Sequence, residues 1–229
     1  MTFADQVIRY HKDLQPNWRL PKDIGLIYPF TEDETWEVFE AFYHKYFGDE
    51  KHRTVLFGIN PGRFGAGVTG IPFTDPKILE EDLKIKNTWQ KRNELSSVFV
   101  YEMIKALGGP KRFYKKFYIT SVCPLGFISQ GKNVNYYDDK TLQNKVEKKI
   151  IAWIRSQLEM PVNTQVAFSM GQGKNYKYLA KLNEKHEFFD AILPLPHPRW
   201  VMQYRLKSKE IYIDEYVTKL TEADATARR

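Results

Sequence analysis

Residues 54–62, Thr54-Val55-Leu56-Phe57-Gly58-Ile59-Asn60-Pro61-Gly62, join an apolar run of strand formers to an abrupt turn. A short run that is apolar at consecutive positions suits a strand covered on both faces, as in a parallel sheet. Three later segments share this form. Phe117-Tyr118-Ile119-Thr120-Ser121-Val122 closes at Pro124, Gln165-Val166-Ala167-Phe168-Ser169 ends at Gly171, and Asp190-Ala191-Ile192-Leu193 runs into Pro194-Leu195-Pro196-His197-Pro198. Helical periodicity separates them. It predicts helices over 5–14, 33–47, 86–107 (Leu95, Val98, Phe99 and Met103 on one stripe), 139–158 and 205–221. Strands alternating with helix-sized segments predict a three-layer α/β sandwich, with a parallel sheet flanked by helices. One domain over 1–222 follows, because no repeat or linker interrupts the chain; 223–229 reads as a flexible tail with little to bury.

The composition removes several classes of function. A hydrophobic fraction of 42% with 13 Gly and 12 Pro excludes a disordered or collagen-like chain. One cysteine, Cys123, leaves no intramolecular disulfide and no cysteine-rich metal site. His11, His44, His52 and His186 show no ligand spacing, so no metal or organic cofactor is expected. The amino terminus has no basic and apolar leader pattern, and no run approaches the ~18 apolar residues of a membrane span. A cytoplasmic, membrane-free monomer is the expectation. The net charge of +7 with 15% aromatic residues permits nucleic-acid binding through phosphate neutralisation and base stacking.

Ligands of parallel α/β sheets bind beyond the carboxyl ends of the strands, which directs attention to loops 60–76, 121–135, 170–175 and 194–204. The first contains Gly65-Ala66-Gly67-Val68-Thr69-Gly70, a match to the dinucleotide fingerprint, but Pro72 and Pro76 oppose the helix that fingerprint requires. Asn60 at a strand tip is either an ordinary turn residue or a polar group presented to a ligand. His197, between two prolines, is either a surface histidine or a second polar group facing the same cleft. Cys123, followed by proline, reads as packing rather than as a nucleophile. Most lysines read as solvated helix faces, with Lys174 and Lys177 best placed to meet phosphates.

Taken together, the strand-end motifs resemble those of the single-strand-selective monofunctional uracil-DNA glycosylases, and most closely a bacterial branch of that family. The resemblance rests on Gly58-Ile59-Asn60-Pro61-Gly62-Arg63-Phe64-Gly65, Thr69-Gly70-Ile71-Pro72-Phe73, Cys123-Pro124-Leu125, Ser129-Gln130-Gly131-Lys132-Asn133 and His197-Pro198. With Gly25-Leu26-Ile27-Tyr28 and Trp36 it extends over roughly residues 3 to 220. It implies a four-stranded parallel sheet between helices and hydrolysis of an N-glycosidic bond in DNA, leaving an abasic site. Asn60 would position the attacking water, Phe73 would stack on the extruded base, and His197 would hydrogen-bond the base carbonyl. Ile59, Gly62 and Ser121 would border the base, with Gly62 near its C5 edge. No lysine stands at the catalytic positions, which implies hydrolysis without strand cleavage.

This chain departs from the family pattern at two places. Ser121 stands where the family has a base-reading asparagine, and a short rotatable hydroxyl extends the expected substrates from uracil to xanthine or hypoxanthine. His197-Pro198-Arg199-Trp200 lacks the family's additional Ser-Pro. Arg63, Lys174, Lys177, Arg199, Trp200, Met202 and Arg205 are the expected DNA contacts, with Arg199, Trp200 and Met202 as candidates for the wedge. A catalytically silent nucleic-acid-binding protein and a hydrolase of free nucleosides are the competing readings.

Overall fold

A computed structural model describes residues 1–14, 16–17 and 19–226. The chain runs α1 (Phe3–Lys12), β1 (Gly25–Ile27), α2 (Asp33–Phe47), β2 (Arg53–Gly58), α3 (Ala66–Thr69), α4 (Pro76–Glu81), α5 (Leu95–Ala106), α6 (Pro110–Tyr114), β3 (Phe117–Ser121), β4 (Gly126–Ser129), β5 (Lys132–Val134), α7 (Lys140–Leu158), β6 (Val162–Met170), α8 (Lys174–His186), β7 (Ala191–Leu195), α9 (Pro198–Tyr204) and α10 (Lys209–Thr226). The main sheet has strand order β3-β2-β6-β7, and every pairing in it is parallel. All six residues of β2 are buried; the apolar run Val55-Leu56-Phe57 suits an inner strand, and Arg53 and Thr54 before it are buried as well. Helices α1, α2 and α7 pack together, as do α5, α9 and α10. The four-stranded parallel sheet flanked by helices agrees with the sequence reading.

Parallel register decides what meets at one edge. Gly58 of β2 pairs with Ser121 of β3, while Met170 of β6 pairs with Leu195 of β7. Every strand therefore ends at the same edge, and Asn60, Gly171 and His197 follow one or two residues later on three neighbouring strands. The core beneath is strongly aromatic. Its least expected member is Arg53, with no exposed surface, whose guanidinium lies over the rings of Phe3 and Phe47 and reaches Asp49 at 2.9 Å.

Three sequence expectations need correction. The helix expected over 86–107 begins only at Leu95, because the Glu94 amide is held by the buried Asp75 carboxylate at 2.9 Å and the preceding segment stays irregular. Leu95, placed on its apolar stripe, is exposed. The helix expected over 205–221 opens as a short 3-10 turn, Leu206–Ser208, and becomes α-helical only as α10, while the separate helix α9 that precedes it was not expected. The tail expected from 223 is likewise not free through 226: Ala223 is buried in the core, and Asp224 pairs with Lys116 at 2.6 Å. Residues 227–229 lie outside the described residues. The antiparallel sheet β1-β4-β5 escaped the sequence reading, since three- and four-residue strands carry too few positions to show a period.

Candidate active site

A cleft of about 950 Å³ opens at the carboxyl edge of the main sheet. Ile59, Asn60, Gly62, Arg63 and Phe73 line it from the loop after β2, Lys174 from the start of α8, and His197, Arg199 and Trp200 from the end of β7 and α9. The structure thus brings together nine of the thirteen residues singled out from sequence. Ser121 is buried at the end of β3 and is not among the lining residues. Lys177 lies farther along α8, Met202 packs against the core, and Arg205 stacks on Trp200 at 5.0 Å; none of these three lines the cleft.

The amide of Asn60 is held from two sides. Its Nδ2 donates to the carbonyls of Val134 and Pro61, each at 3.3 Å, and its Oδ1 accepts the Tyr136 amide at 3.2 Å. A carbonyl oxygen has two lone pairs, so one remains to accept from a water. The β4–β5 hairpin supplies Val134, and a hydrogen-bonded chain continues beyond it. The Tyr136 hydroxyl donates to Asn175 Oδ1 at 2.8 Å, Asn175 Nδ2 to Ser169 Oγ at 3.2 Å, and Ser169 to the Gly171 carbonyl at 3.0 Å. Tyr136, Ser169, Gly171 and Asn175 are all buried, so the amide is fixed from behind.

His197 caps the amino end of α9, its Nδ1 accepting the Arg199 amide at 3.1 Å. That assignment leaves the ring proton on Nε2, available to donate. Burial, then the Arg199 charge, lowers its pKa to about 4. The ring is therefore a neutral donor at neutral pH. Gly171 lies beside it, where a Cβ would sit 3.5 Å from the ring.

Phe73 stands 6.4 Å from His197 between ring centroids. Its φ of +53° is left-handed, a conformation that costs a bulky residue of order 1–3 kcal/mol. The flanking residues hold it there: the Thr69 hydroxyl accepts the Ile71 amide at 3.1 Å and donates to the Thr74 carbonyl at 2.7 Å. Behind the ring lies Gly58, where a Cβ would fall 2.9 Å from Cε2 of Phe73. An absent side chain on β2 thus sets the depth of the aromatic wall.

A family model for the uracil DNA glycosylase superfamily matches residues 44–221, the span that carries every one of these strand-end groups. The chain belongs to the uracil DNA glycosylase superfamily. Its fold is that of a solved structure of wild-type SMUG2 from Pedobacter heparinus, at 49% identity, TM-score 0.95, covering 98% of this chain and 99% of that one. The single-strand selective monofunctional uracil-DNA glycosylase of Rattus norvegicus is 27% identical over 59% of this chain and 54% of its own length. The Mus musculus protein is 26% identical over 58% and 53%. The chain therefore spans about half the length of these two relatives.

In this superfamily member, the lining residues that sequence reading missed are mainly Glu94, Asn133, Tyr137 and Asn175. Asn133 lay within a quoted motif, yet only the hairpin shows that its Oδ1 accepts the Arg63 amide at 3.2 Å. Glu94 falls inside the helix that the sequence predicts over 86–107. Lys132 and Lys174, both exposed, also line the cleft. Among the described residues no group of three His, Cys, Asp or Glu side chains could hold a metal ion, and no helix is long and apolar enough to cross a membrane.

Proposed function

We propose that the protein is a monofunctional DNA glycosylase that hydrolyses the N-glycosidic bond of deaminated bases in DNA, uracil and also xanthine or hypoxanthine, to leave an abasic site. The observation that carries this reading is a neutral imidazole donor in the same cleft as a fixed amide and an aromatic wall. Breaking the bond builds oxocarbenium character on the sugar and negative charge on the departing base. His197, its pKa lowered to about 4, offers an Nε2–H to that charge without competing as a cation for the proton. The free lone pair on Asn60 Oδ1 orients water toward C1′. An amide is too weak a base to take a full proton from water, so the attack follows bond breaking rather than driving it. Because C1′ of a stacked nucleotide is inaccessible, the base must leave the helix. Stacking on Phe73 then contributes about 1–3 kcal/mol. Arg63, Lys174 and Arg199 at the rim supply phosphate-compatible charge. Lys132 and Lys174 are exposed, whereas a lysine that forms a Schiff base is activated by desolvation, which favours plain hydrolysis.

The test uses single- and double-stranded oligonucleotides carrying uracil, xanthine or hypoxanthine, incubated with wild type, Asn60→Ala and His197→Ala and then divided between alkali and neutral work-up. Alkali-dependent breaks with wild type, reduced by two orders of magnitude or more in both variants, are expected. Breaks without alkali would overturn the monofunctional reading. Binding without abasic product would replace the enzyme with a damage-binding protein, and release only from free nucleosides would replace DNA as the substrate.

A further inference from the structure

The cleft holds one carboxyl that this mechanism does not use. Glu94 occupies the amino-terminal cap position of α5, its amide held at 2.9 Å by Asp75, which itself accepts the Ile78 amide at 2.9 Å and has no exposed surface. With its backbone so tethered, the side chain lies across the glycine loop. A Cβ on Gly65 would fall 1.9 Å from Glu94 Oε2, and one on Gly62 would fall 3.7 Å from Oε1. Gly65 therefore leaves the space that the carboxyl fills, and Gly62 and Glu94 both face the cavity.

The surroundings hold this carboxyl between its two forms. Burial first and the Asp75 charge second raise its pKa to about 7, against the opposing pull of Arg199 on α9 and the Ser97 hydroxyl on α5. His197, which also lines the cleft, is neutral at neutral pH. A carboxylic acid that is substantially protonated in a glycosylase cleft can act as a proton donor to the leaving base. The two base classes differ in their use for one. A purine carries N7 in the same five-membered ring as the glycosidic N9, and protonation there relieves the charge left by bond breaking. Uracil has a C–H at the corresponding edge and departs as an anion stabilised by donors alone.

We propose that Glu94 is the general acid for purine bases, giving its proton to N7 of xanthine or hypoxanthine as the C1′–N9 bond breaks. The bonding pair passes to N9, the base leaves neutral, water oxygen bonds to C1′, and the proton released from that water returns through solvent to the Glu94 carboxylate. This inference rests on the glycosylase reading above.

Single-turnover excision from oligonucleotides containing 2′-deoxyinosine, 7-deaza-2′-deoxyinosine or 2′-deoxyuridine tests it, between pH 5.5 and 9, with wild type and Glu94→Gln. Wild-type hypoxanthine release should fall above pH 7. Glu94→Gln should lower it at least tenfold at pH 6.5, flatten that pH dependence, and reduce the discrimination against the 7-deaza base at least tenfold. A purely structural role would slow the inosine and 7-deaza substrates alike and leave the discrimination intact, which overturns the proposal. If Glu94→Gln does not fold, the wild-type profile decides: hypoxanthine release that does not fall above pH 7 overturns it. Wild type that removes uracil but no purine overturns the Glu94 role and leaves the glycosylase reading standing. Removal of neither overturns both.

Discussion

Replacing Gly58 with alanine would test whether the depth of the aromatic wall is set from inside the sheet. The new Cβ would lie 2.9 Å from Cε2 and 3.2 Å from Cζ of Phe73, and 3.3 Å from the Thr120 carbonyl oxygen. Carbon atoms rest about 3.5–4.0 Å apart, so the contact is short by about 0.8 Å. β2 cannot yield, because it is paired with β3 and β6 on either side. The ring can, since it is only half-buried and borders the cleft. It should therefore move into the space that a base would occupy. Overpacking a core costs about 1–3 kcal/mol, and relief through the cleft puts this case near the lower end, about 1 kcal/mol. For a chain of this size that lowers Tm by about 2–4 °C. The larger effect falls on the reaction, where a misplacement near 1 Å costs about 10²-fold. Single-turnover release of uracil from an oligonucleotide, measured with enzyme in excess, should slow about 10- to 100-fold. Phe73→Leu in the Gly58→Ala background should restore the lost stability without restoring the rate. A Gly58→Ala protein that keeps the wild-type rate within threefold, or loses more than 3 kcal/mol while its folded fraction keeps that rate, would refute the reasoning by showing that the strand, not the ring, gives way.

The remaining predictions concern charge and the ends of the chain. His11 is buried with its Nδ1 at 2.9 Å from the Val7 carbonyl, and burial lowers its pKa to about 4. The unfolded chain, titrating near 6.5, then takes up a proton that the folded chain refuses. The stability that depends on a neutral His11 is complete above about pH 6.5 and is lost toward pH 4, amounting to about 3 kcal/mol. Urea unfolding at pH 7 and 4.5 should show a smaller acid loss in His11→Leu than in wild type; equal losses would remove His11 from the account. Ending the chain after Glu222 should cost about 1 kcal/mol or more, read as a fall in Tm, because it removes buried Ala223 and the Asp224–Lys116 pair at 2.6 Å. Lys174→Ala should reduce the slope of log affinity for single-stranded DNA against log salt by about 1, while Lys148→Ala, on the exposed face of α7, should leave it unchanged.

The legible parts of the fold were those with a strong local signal. The β2 run and the periodicity of residues 139–158 announce a buried strand and an amphipathic helix because burial on one or both faces dictates residue type position by position. Asn60 and His197 were legible by place, since each closes a strand of a parallel sheet. Segment 86–94 is not helical although its composition suits a helix, because the Asp75 carboxylate, nineteen residues before Glu94, claims the Glu94 amide for the start of α5 instead. Ser121 was singled out from its motif position, but its burial follows from sheet packing that no motif encodes.

By itself, the sequence determined the parallel α/β class, the edge where the site must lie, and the glycine-rich loop beside Asn60. These follow from side-chain type and chain connectivity, which act locally or through handedness rules that hold for all such sheets. Tertiary structure decided what those groups are chemically. The free lone pair of Asn60 depends on Val134 and Tyr136, the neutrality of His197 on burial and the Arg199 charge, and the raised pKa of Glu94 on burial and the Asp75 charge. Each of these is a property of distance and dielectric between residues far apart in the chain, and such quantities exist only once the chain has folded.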